Sequence, residues 1–511
     1  MTIETFGPPG AGKTTFSRAP AQRLRDRGEI DRTARSRSDP EHNSLVSCTR
    51  ELALSPSAPE NIGTAAVQSD PELARRLSNA SLWSFVVYVG GAGLTCLAQL
   101  VIARKIGAPS YGIYSYVLAW TTLLSYMAAL GFNTVLLRFL AAYCATEQWS
   151  LARGIIRFAF GRSLLVAMVI AICGSAAVLS LAHGFPHEMA IGLATVPLVA
   201  LYVLGSATVR ALGGVISAIA PERLVRDGLM VALVVLAGML SATPVNATTV
   251  LIALMVSSAV TAGILGLSLR KLWPSQLRSA VPAYAPSDWW HLALPVMIMI
   301  GVEVLMSRAG VILLGWIDDT RAAGIFALGL NLALFLVLPR MAVGTFFSPA
   351  VSKLHAHQDQ AALQSLFARA TVLALAGTIS LALPLLFLTE PLLRLFGEDF
   401  VATAPIAQIL VVGQIFAAAT GPQLNLLTMT GHERAAAAIL VVGAMINIVA
   451  CAIGIAFFGA IGAAVATAAT NVVWNAAMAV YIYKRVNMIP GLLLAVVEFR
   501  RPAAARYSQG M

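Results

Sequence analysis

Apolar and polar positions divide the chain near Leu77. Residues 1–76 are polar and rich in Arg, Ser and Pro, whereas the rest is a series of apolar runs with short polar connections. A transmembrane helix needs about 20 predominantly apolar residues. Twelve runs qualify or come close: 82–103, 113–137, 158–182, 189–209, 228–242, 248–269, 291–316, 322–350, 369–389, 403–426, 436–457 and 460–483. The pattern predicts an all-α polytopic membrane protein with about 12 transmembrane helices.

Composition agrees with this prediction. The chain is 58% hydrophobic and 12% charged, whereas soluble proteins average roughly 45–50% and about 25%. An ordinary soluble globule and a nucleic-acid-binding domain are therefore excluded for most of the length, and no nucleic-acid partner is expected despite the net charge of +11. The five cysteines lie far apart with no CxxC pair, so no metal site is expected.

The basic residues between the runs predict the orientation. Counted with the N-terminus inside, the cytoplasmic connections and the C-terminal tail carry 16 Lys and Arg, and the opposite loops carry 4. The positive-inside rule then places both termini in the cytoplasm. Arg223 and Arg226 are assigned here to the cytoplasmic connection between the fourth and fifth spans.

The runs also predict the domain organisation. Residues 77–288 and 289–486 form two six-helix bundles, between a polar cytoplasmic head at 1–76 that is expected to be disordered and a basic cytoplasmic tail at 487–511. Sequence matches recur six spans apart: 107–114 resembles 315–326, and 221–223 resembles 431–434. Because six is even, the two halves insert with the same orientation, as parallel repeats do.

The polar head contains a phosphate-binding motif. Residues 7–14 read G-x-x-x-x-G-K-T, the spacing with which a P-loop cradles phosphates, and its candidate nucleotide-binding residues are Gly7, Gly12, Lys13 and Thr14. Pro20 interrupts the helix that should follow, and no apolar strand ending in a magnesium-binding Asp comes after it. We expect a P-loop remnant rather than a working nucleotide site.

Several segments of the membrane part resemble bacterial polysaccharide flippases. They are Ala103–Gly107 with Tyr111–Tyr114, Leu130–Thr134 leading to Leu137–Phe139, Leu426–Arg434, and Gly459–Val473. These flippases, which include the O-antigen flippases, belong to the multidrug/oligosaccharidyl-lipid/polysaccharide exporter superfamily. The resemblance covers about residues 78–486. It implies translocation of undecaprenyl-diphosphate-linked oligosaccharide to the outer leaflet of the inner membrane, with membrane lipids, a polysaccharide polymerase and glycosyltransferases as partners.

Such a substrate requires cationic residues for the diphosphate, amides and hydroxyls for the sugars, and two bundles that alternate in arrangement. Charges inside spans are functional candidates by default because they are costly there. Glu303 lies near the midplane, where a carboxyl could couple transport to H⁺ or Na⁺; no cofactor is expected. The cavity candidates are Arg104, Arg138, Glu303, Arg308, Asn331, Arg340, Asn447, Asn471 and Asn475, with Gln408 and Gln414 as weaker ones.

Each candidate also has a structural interpretation. Arg104 and Arg138 could extend to the membrane surface, the Asn residues could hydrogen-bond between helices, and Glu303 could pair with Arg340. No catalytic constellation stands out, so an enzyme is not expected.

Four other functions stay open. Two are transporters of the same superfamily: a lipid II flippase, and a cation-coupled multidrug exporter, which the lack of an acidic residue well inside spans 1–6 disfavours. The others are a P-loop enzyme tethered to the membrane and a scaffold for polysaccharide synthases.

Overall fold

The computed structural model describes residues 71–181, 185–240, 244–317 and 320–489. Every regular element in these ranges is a helix, which confirms the all-α prediction. The P-loop candidates Gly7, Gly12, Lys13 and Thr14 lie outside the described residues, as does most of the predicted head.

The first half contains nine helices. They are α1 (Pro71–Ala128), α2 (Phe132–Val135), α3 (Ala141–Ala145), α4 (Trp149–Leu181), α5 (Pro186–Ala211), α6 (Val215–Ala220), α7 (Arg226–Leu240), α8 (Ala247–Leu272) and α9 (Ser275–Ser279). Single π-helical turns join α2 to α3 at Leu136–Leu140 and α6 to α7 at Pro221–Val225.

The second half contains eight helices. They are α10 (Pro286–Ile317), α11 (Thr320–Leu334), α12 (Leu338–Ala356), α13 (Gln360–Phe387), α14 (Thr389–Phe396), α15 (Ala404–Ala419), α16 (Gln423–Met429) and α17 (Glu433–Tyr481).

The chain reverses within both α1 and α17. Gly107 in α1 (φ 70°) and Gly459 in α17 (φ 54°) leave the helical region of backbone space. The Tyr111 hydroxyl donates to Gln99 Oε1 at 2.7 Å, although 12 residues of straight helix would separate these positions by about 18 Å. Cys451 Sγ likewise lies 3.6 Å from Thr467 Oγ1. Each helix is therefore an antiparallel hairpin that supplies two spans.

Eight helices of the described residues are long and apolar enough to cross a membrane, or nine when the bent pair 90–128 and 132–145 counts as one span. Three more spans complete the predicted twelve. The reversals divide α1 at Gly107 and α17 at Gly459 into two spans each, and the segment 215–240 is the third.

The predicted start of the fifth span, at 228, is wrong. Helical structure begins at Val215 and continues through the π turn at 221–225, so Arg223 and Arg226 lie within this span rather than in a connection. The predicted orientation keeps its sign without these two, with 14 basic residues (16 less 2) against 4.

Glycines at matching positions of the two repeats meet where the halves touch. A Cβ on Gly324 would lie 2.7 Å from the Ala108 carbonyl oxygen and 2.8 Å from the Gly112 nitrogen, and a Cβ on Gly112 would overlap the Thr320 carbonyl. Small residues permit this approach of two backbones. In the predicted orientation this contact closes the outer ends of the halves against each other.

The connections that leave the fourth and tenth spans also correspond. Each turns at a glycine with positive φ, Gly213 (φ 89°) and Gly431 (φ 80°). The sequence match of 221–223 with 431–434 therefore paired the wrong residues, because 221–223 lies inside the fifth span.

Candidate functional site

Two cavities with polar side chains in their walls lie among the helices of the described residues. The N-half cavity, of about 360 Å³, lies mainly between helices of the first half, and the C-half cavity, of about 600 Å³, lies between helices of the second. Helix α10 contributes to both, with Arg308 lining the N-half cavity and Glu303 and Ser307 lining the C-half cavity. The two cavities thus lie on different faces of α10.

A buried carboxylate lines the N-half cavity. Asp227 is 5% exposed and is paired with Arg226, whose Nε lies 2.8 Å from Asp227 Oδ1. Thr95 donates to the second carboxylate oxygen at 2.5 Å, and Arg226 donates to the Tyr202 hydroxyl at 3.0 Å. This network joins α1, α5 and α7.

The N-half cavity also contains Glu222, Arg223 and Arg308, so three arginines face two acids in its described wall. A cation-coupled exporter was disfavoured because the sequence predicted no acidic residue well inside spans 1–6. Asp227 contradicts that prediction, because the fifth span begins earlier than its apolar run. The interruption of that run by Pro221 and four charges concealed the residue.

Arg308 is a cation without a counter-ion. No hydrogen bond or ion pair joins it to another described residue, and its electrostatic neighbours are the hydroxyls of Tyr111, Tyr114 and Tyr126. Asn331, also in the cavity wall, donates to the Tyr111 hydroxyl at 3.3 Å. A guanidinium without a partner can accept a phosphate or carboxylate in its planar array of donors.

The C-half cavity contains the predicted pair of Glu303 and Arg340. Both side chains line it, and their charges act on each other, but no ion pair within 4 Å joins them among the described residues. Each can therefore still bind an ion or a ligand group.

The asparagines of the C-half cavity are held by the protein itself. Asn447 donates to the Met306 carbonyl at 3.1 Å and accepts from Cys451. Asn475 donates to Asn471 at 2.7 and 2.9 Å and accepts from Thr420 at 3.2 Å, and Asn471 donates to the Gly413 carbonyl. The interhelical interpretation of these residues therefore describes most of their hydrogen-bonding capacity.

Two glutamines in the same wall have unused capacity. Gln423 is 2% exposed, and neither its Nε2 nor its Oε1 has a hydrogen-bond partner among the described residues; the same holds for Gln414 Oε1. The sequence analysis ranked Gln414 low and missed Gln423, whose only signal was the neighbouring Gly421-Pro422 inside an apolar run.

That glycine and proline interrupt the tenth span beside the cavity. Helix α15 ends at Ala419, Gly421 has φ 84°, and α16 begins at Gln423. Non-helical backbone at membrane depth is tolerated where it is buried in protein or lines a water-filled cavity. Gly421 and Pro422 both line the C-half cavity, so the break fits a polar binding site.

The cavity runs from the midplane towards the predicted cytoplasmic side. Gln414 lies 11 residues after the start of the predicted tenth span, about 16 Å deep at a rise of 1.5 Å per residue, and Gln423 follows the helix break, nearer the predicted cytoplasmic end of the span. In the predicted orientation, the contact between Gly112 and Gly324 is then at the outer side and the polar space extends towards the inner side.

Two predicted cavity residues lie elsewhere. Arg104 and Arg138 are exposed and line neither cavity, so their predicted part in substrate binding stays a prediction. No group of three or more metal-binding side chains occurs among the described residues.

Comparison with known proteins identifies related folds. The MatE family model matches residues 295–453, while comparison with curated proteins gives no match. Among solved structures, a multidrug resistance MATE family transporter of the MOP superfamily, in an inward-facing conformation, is 13% identical. The match covers 80% of this chain and 96% of that one, with a TM-score of 0.65.

Two further structures have the same fold. The lipid II flippase MurJ, in an inward closed conformation, is 15% identical over 82% of this chain and 91% of that one, with a TM-score of 0.64. A MOP superfamily transporter from Pyrococcus furiosus is 13% identical over 80% and 94%, with a TM-score of 0.58. The chain is a polytopic membrane protein with the fold of the MOP superfamily transporters, and its residues 295–453 match the MatE family model.

Proposed function

We propose that this protein flips undecaprenyl-diphosphate-linked oligosaccharide across the inner membrane by alternating access of its two halves. The observation that carries the proposal is Arg308, an unpaired guanidinium within a protein cavity. A buried charge without a partner is costly, and a diphosphate would supply the missing counter-charge.

The energetics of the substrate require a polar path of this kind. Pulling a sugar headgroup through about 30 Å of hydrocarbon would strip water from its hydroxyls at roughly 2–7 kcal/mol for each uncompensated group. A cavity lined by amides and charges avoids most of that cost, while the isoprenoid chain stays in lipid. Polysaccharide polymerases and glycosyltransferases would then be the partners that use and supply the lipid.

The arrangement of the halves supports alternating access. Gly112 and Gly324 close the outer ends, while the C-half cavity extends towards the cytoplasmic side. Exchange of this arrangement for its opposite would move a bound headgroup from one leaflet to the other. Glu303, in the wall of the same cavity, is the proposed site of coupling to H⁺ or Na⁺.

Reconstitution tests the proposal directly. The purified protein is placed in liposomes that contain undecaprenyl diphosphate linked to a fluorescent N-acetylglucosamine, and an impermeant reductant then bleaches the outer leaflet, with and without H⁺ or Na⁺ gradients. Wild-type protein should make the inner-leaflet lipid accessible, and Arg308→Gln should slow this at least tenfold.

Arg321→Gln is the matched control, since that arginine is exposed and, among the described residues, forms an ion pair with exposed Asp399 at 3.5 Å. Equal rates for the wild type and Arg308→Gln would contradict the anion site. Wild-type rates equal to those of empty liposomes would contradict the proposed function.

A cation-coupled multidrug exporter is the second candidate, and Asp227 favours it. A buried carboxylate that lines a cavity can bind a proton or a metal cation in place of its ion-pair partner. This candidate predicts that the liposomes export ethidium in response to an H⁺ or Na⁺ gradient, and that Asp227→Asn stops the export. Flipping that persists in Asp227→Asn, with no ethidium export by the wild type, would exclude it.

A further inference from the structure

The C-half cavity combines three features that a packed membrane interior does not explain. It has about 600 Å³ of space, within the range of small-molecule sites, and a helix break at Gly421 and Pro422 in its wall. It also has two glutamines with unsatisfied amide atoms. Buried amides nearly always have partners, and an exception needs an explanation.

The glutamines differ from the asparagines around them in how many of their amide atoms have hydrogen-bond partners. Asn447, Asn471 and Asn475 each use both their amide nitrogen and their oxygen within the protein. Gln423 uses neither. The asparagines therefore fix the helices α10, α15 and α17 relative to each other, whereas Gln423 and Gln414 line the cavity and keep amide atoms that no described residue satisfies.

The chemistry of an amide restricts which ligands these atoms can bind. A glutamine offers two donors and an acceptor and no charge, so it suits neutral groups that donate and accept together. Sugar hydroxyls do both. A diphosphate only accepts, and the unpaired Arg308 in the other cavity is better suited to it.

We propose, resting on the proposed function, that the C-half cavity is a carbohydrate subsite in which Gln423 and Gln414 bind sugar hydroxyls, separate from the anion subsite at Arg308. Helix α10 lies between the subsites, with Ser307 lining one and Arg308 the other. Sugars farther along a lipid-linked glycan would then sit in the amide-lined cavity while the diphosphate is held at Arg308.

The test measures how much a sugar adds to binding. The affinity of the full chain in nanodiscs is measured for undecaprenyl diphosphate alone and for the same lipid linked to a tetrasaccharide of glucose, galactose or N-acetylglucosamine, long enough to reach both glutamines. At least one of the three sugars should raise the affinity of the wild type. Gln423→Met and Gln414→Met should each reduce that increase by about 2- to 10-fold, the range of one net hydrogen bond. The affinity for undecaprenyl diphosphate itself should not change.

Two controls separate this inference from the proposed function and from a structural role. Arg308→Gln should weaken binding of all four lipids equally and leave the increase due to sugar intact. Gln408→Met changes an exposed glutamine of α15 that lines neither cavity and should change nothing. Because the Gln423 amide has no partner, Gln423→Met should also leave the melting temperature unchanged or raise it.

Three outcomes would overturn the inference. If the wild type binds undecaprenyl diphosphate but no sugar adds affinity, the subsite is wrong while the proposed function stands. If Gln423→Met lowers the melting temperature with no effect on the sugar increase, the glutamine is structural. If none of the four lipids binds, the proposed function and this inference fail together.

Discussion

Replacing Gly324 with alanine tests whether the outer ends of the halves close as tightly as the structure shows. The added Cβ would lie 2.7 Å from the Ala108 carbonyl oxygen and 2.9 Å from Gly112 Cα. Ordinary contact begins at 3.4 Å, so the two backbones must separate by about 0.7 Å, which is 3.4 less 2.7. Both nearest atoms belong to backbone, so no side-chain rotation can relieve the overlap.

The free-energy cost of the added methyl group applies only to the conformation in which the outer ends meet. Overpacking of this kind costs about 1–3 kcal/mol, and here it applies to the state in which the outer ends meet. Gly324→Ala should therefore reduce the population of the outer-closed state relative to the outer-open state by about 5- to 150-fold. Flipping should slow as well, since a transporter held open on one side completes its cycle rarely.

Spin labels at the outer ends can measure this shift. Arg104 and Trp316 are exposed residues near the outer ends of the first and seventh spans, and Arg104→Cys with Trp316→Cys in a cysteine-free background provides one label in each half. Electron-electron resonance should show longer distances for Gly324→Ala than for the parent. Gly263→Ala is the matched control, because a Cβ there meets nothing within 4 Å.

An unchanged distance distribution in a folded Gly324→Ala protein would refute the reasoning. It would mean that the close approach of the glycines is not specific to the outer-closed state, or that the backbones part at negligible cost.

Three further predictions concern stability and the N-terminal head. Arg226→Gln should lower the free energy of unfolding by about 3–5 kcal/mol, because it strands a buried carboxylate; adding Asp227→Asn should restore part of the loss, and no restoration would mean that the pair is not the cause. Asn475→Ala removes bonds between helices and should cost about 0.6–1.7 kcal/mol, measured by thermal unfolding in detergent, whereas no loss would place the residue outside the interhelical network. Deletion of residues 1–70, or Lys13→Ala, should leave the flipping rate within twofold of wild type; loss of flipping in both would instead favour the nucleotide-dependent enzyme.

The sequence alone determined that the protein is an all-α polytopic membrane protein. Whether a segment can cross a bilayer depends on its own length and apolarity, because every backbone group must be satisfied within the helix. That property is local, so the pattern of apolar runs found the spans, and the bias of Lys and Arg predicted their direction. The prediction from apolar runs was wrong at the fifth span. Pro221 and a cluster of charged residues interrupt the apolar run there, although the chain is helical from Val215 onwards.

Only the tertiary structure decided which polar residues are available to a ligand. The asparagines and glutamines look alike in sequence, but Asn475 has partners at Thr420 and Asn471, whereas the side chain of Gln423 has none among the described residues. In the same way, Asp227, which the sequence did not indicate, is a buried acid in the wall of the N-half cavity. Arg104, a predicted binding residue, is exposed. A hydrogen bond depends on side chains from distant segments coming within about 3 Å, and that distance is a property of the packed helices, which no single segment of sequence contains.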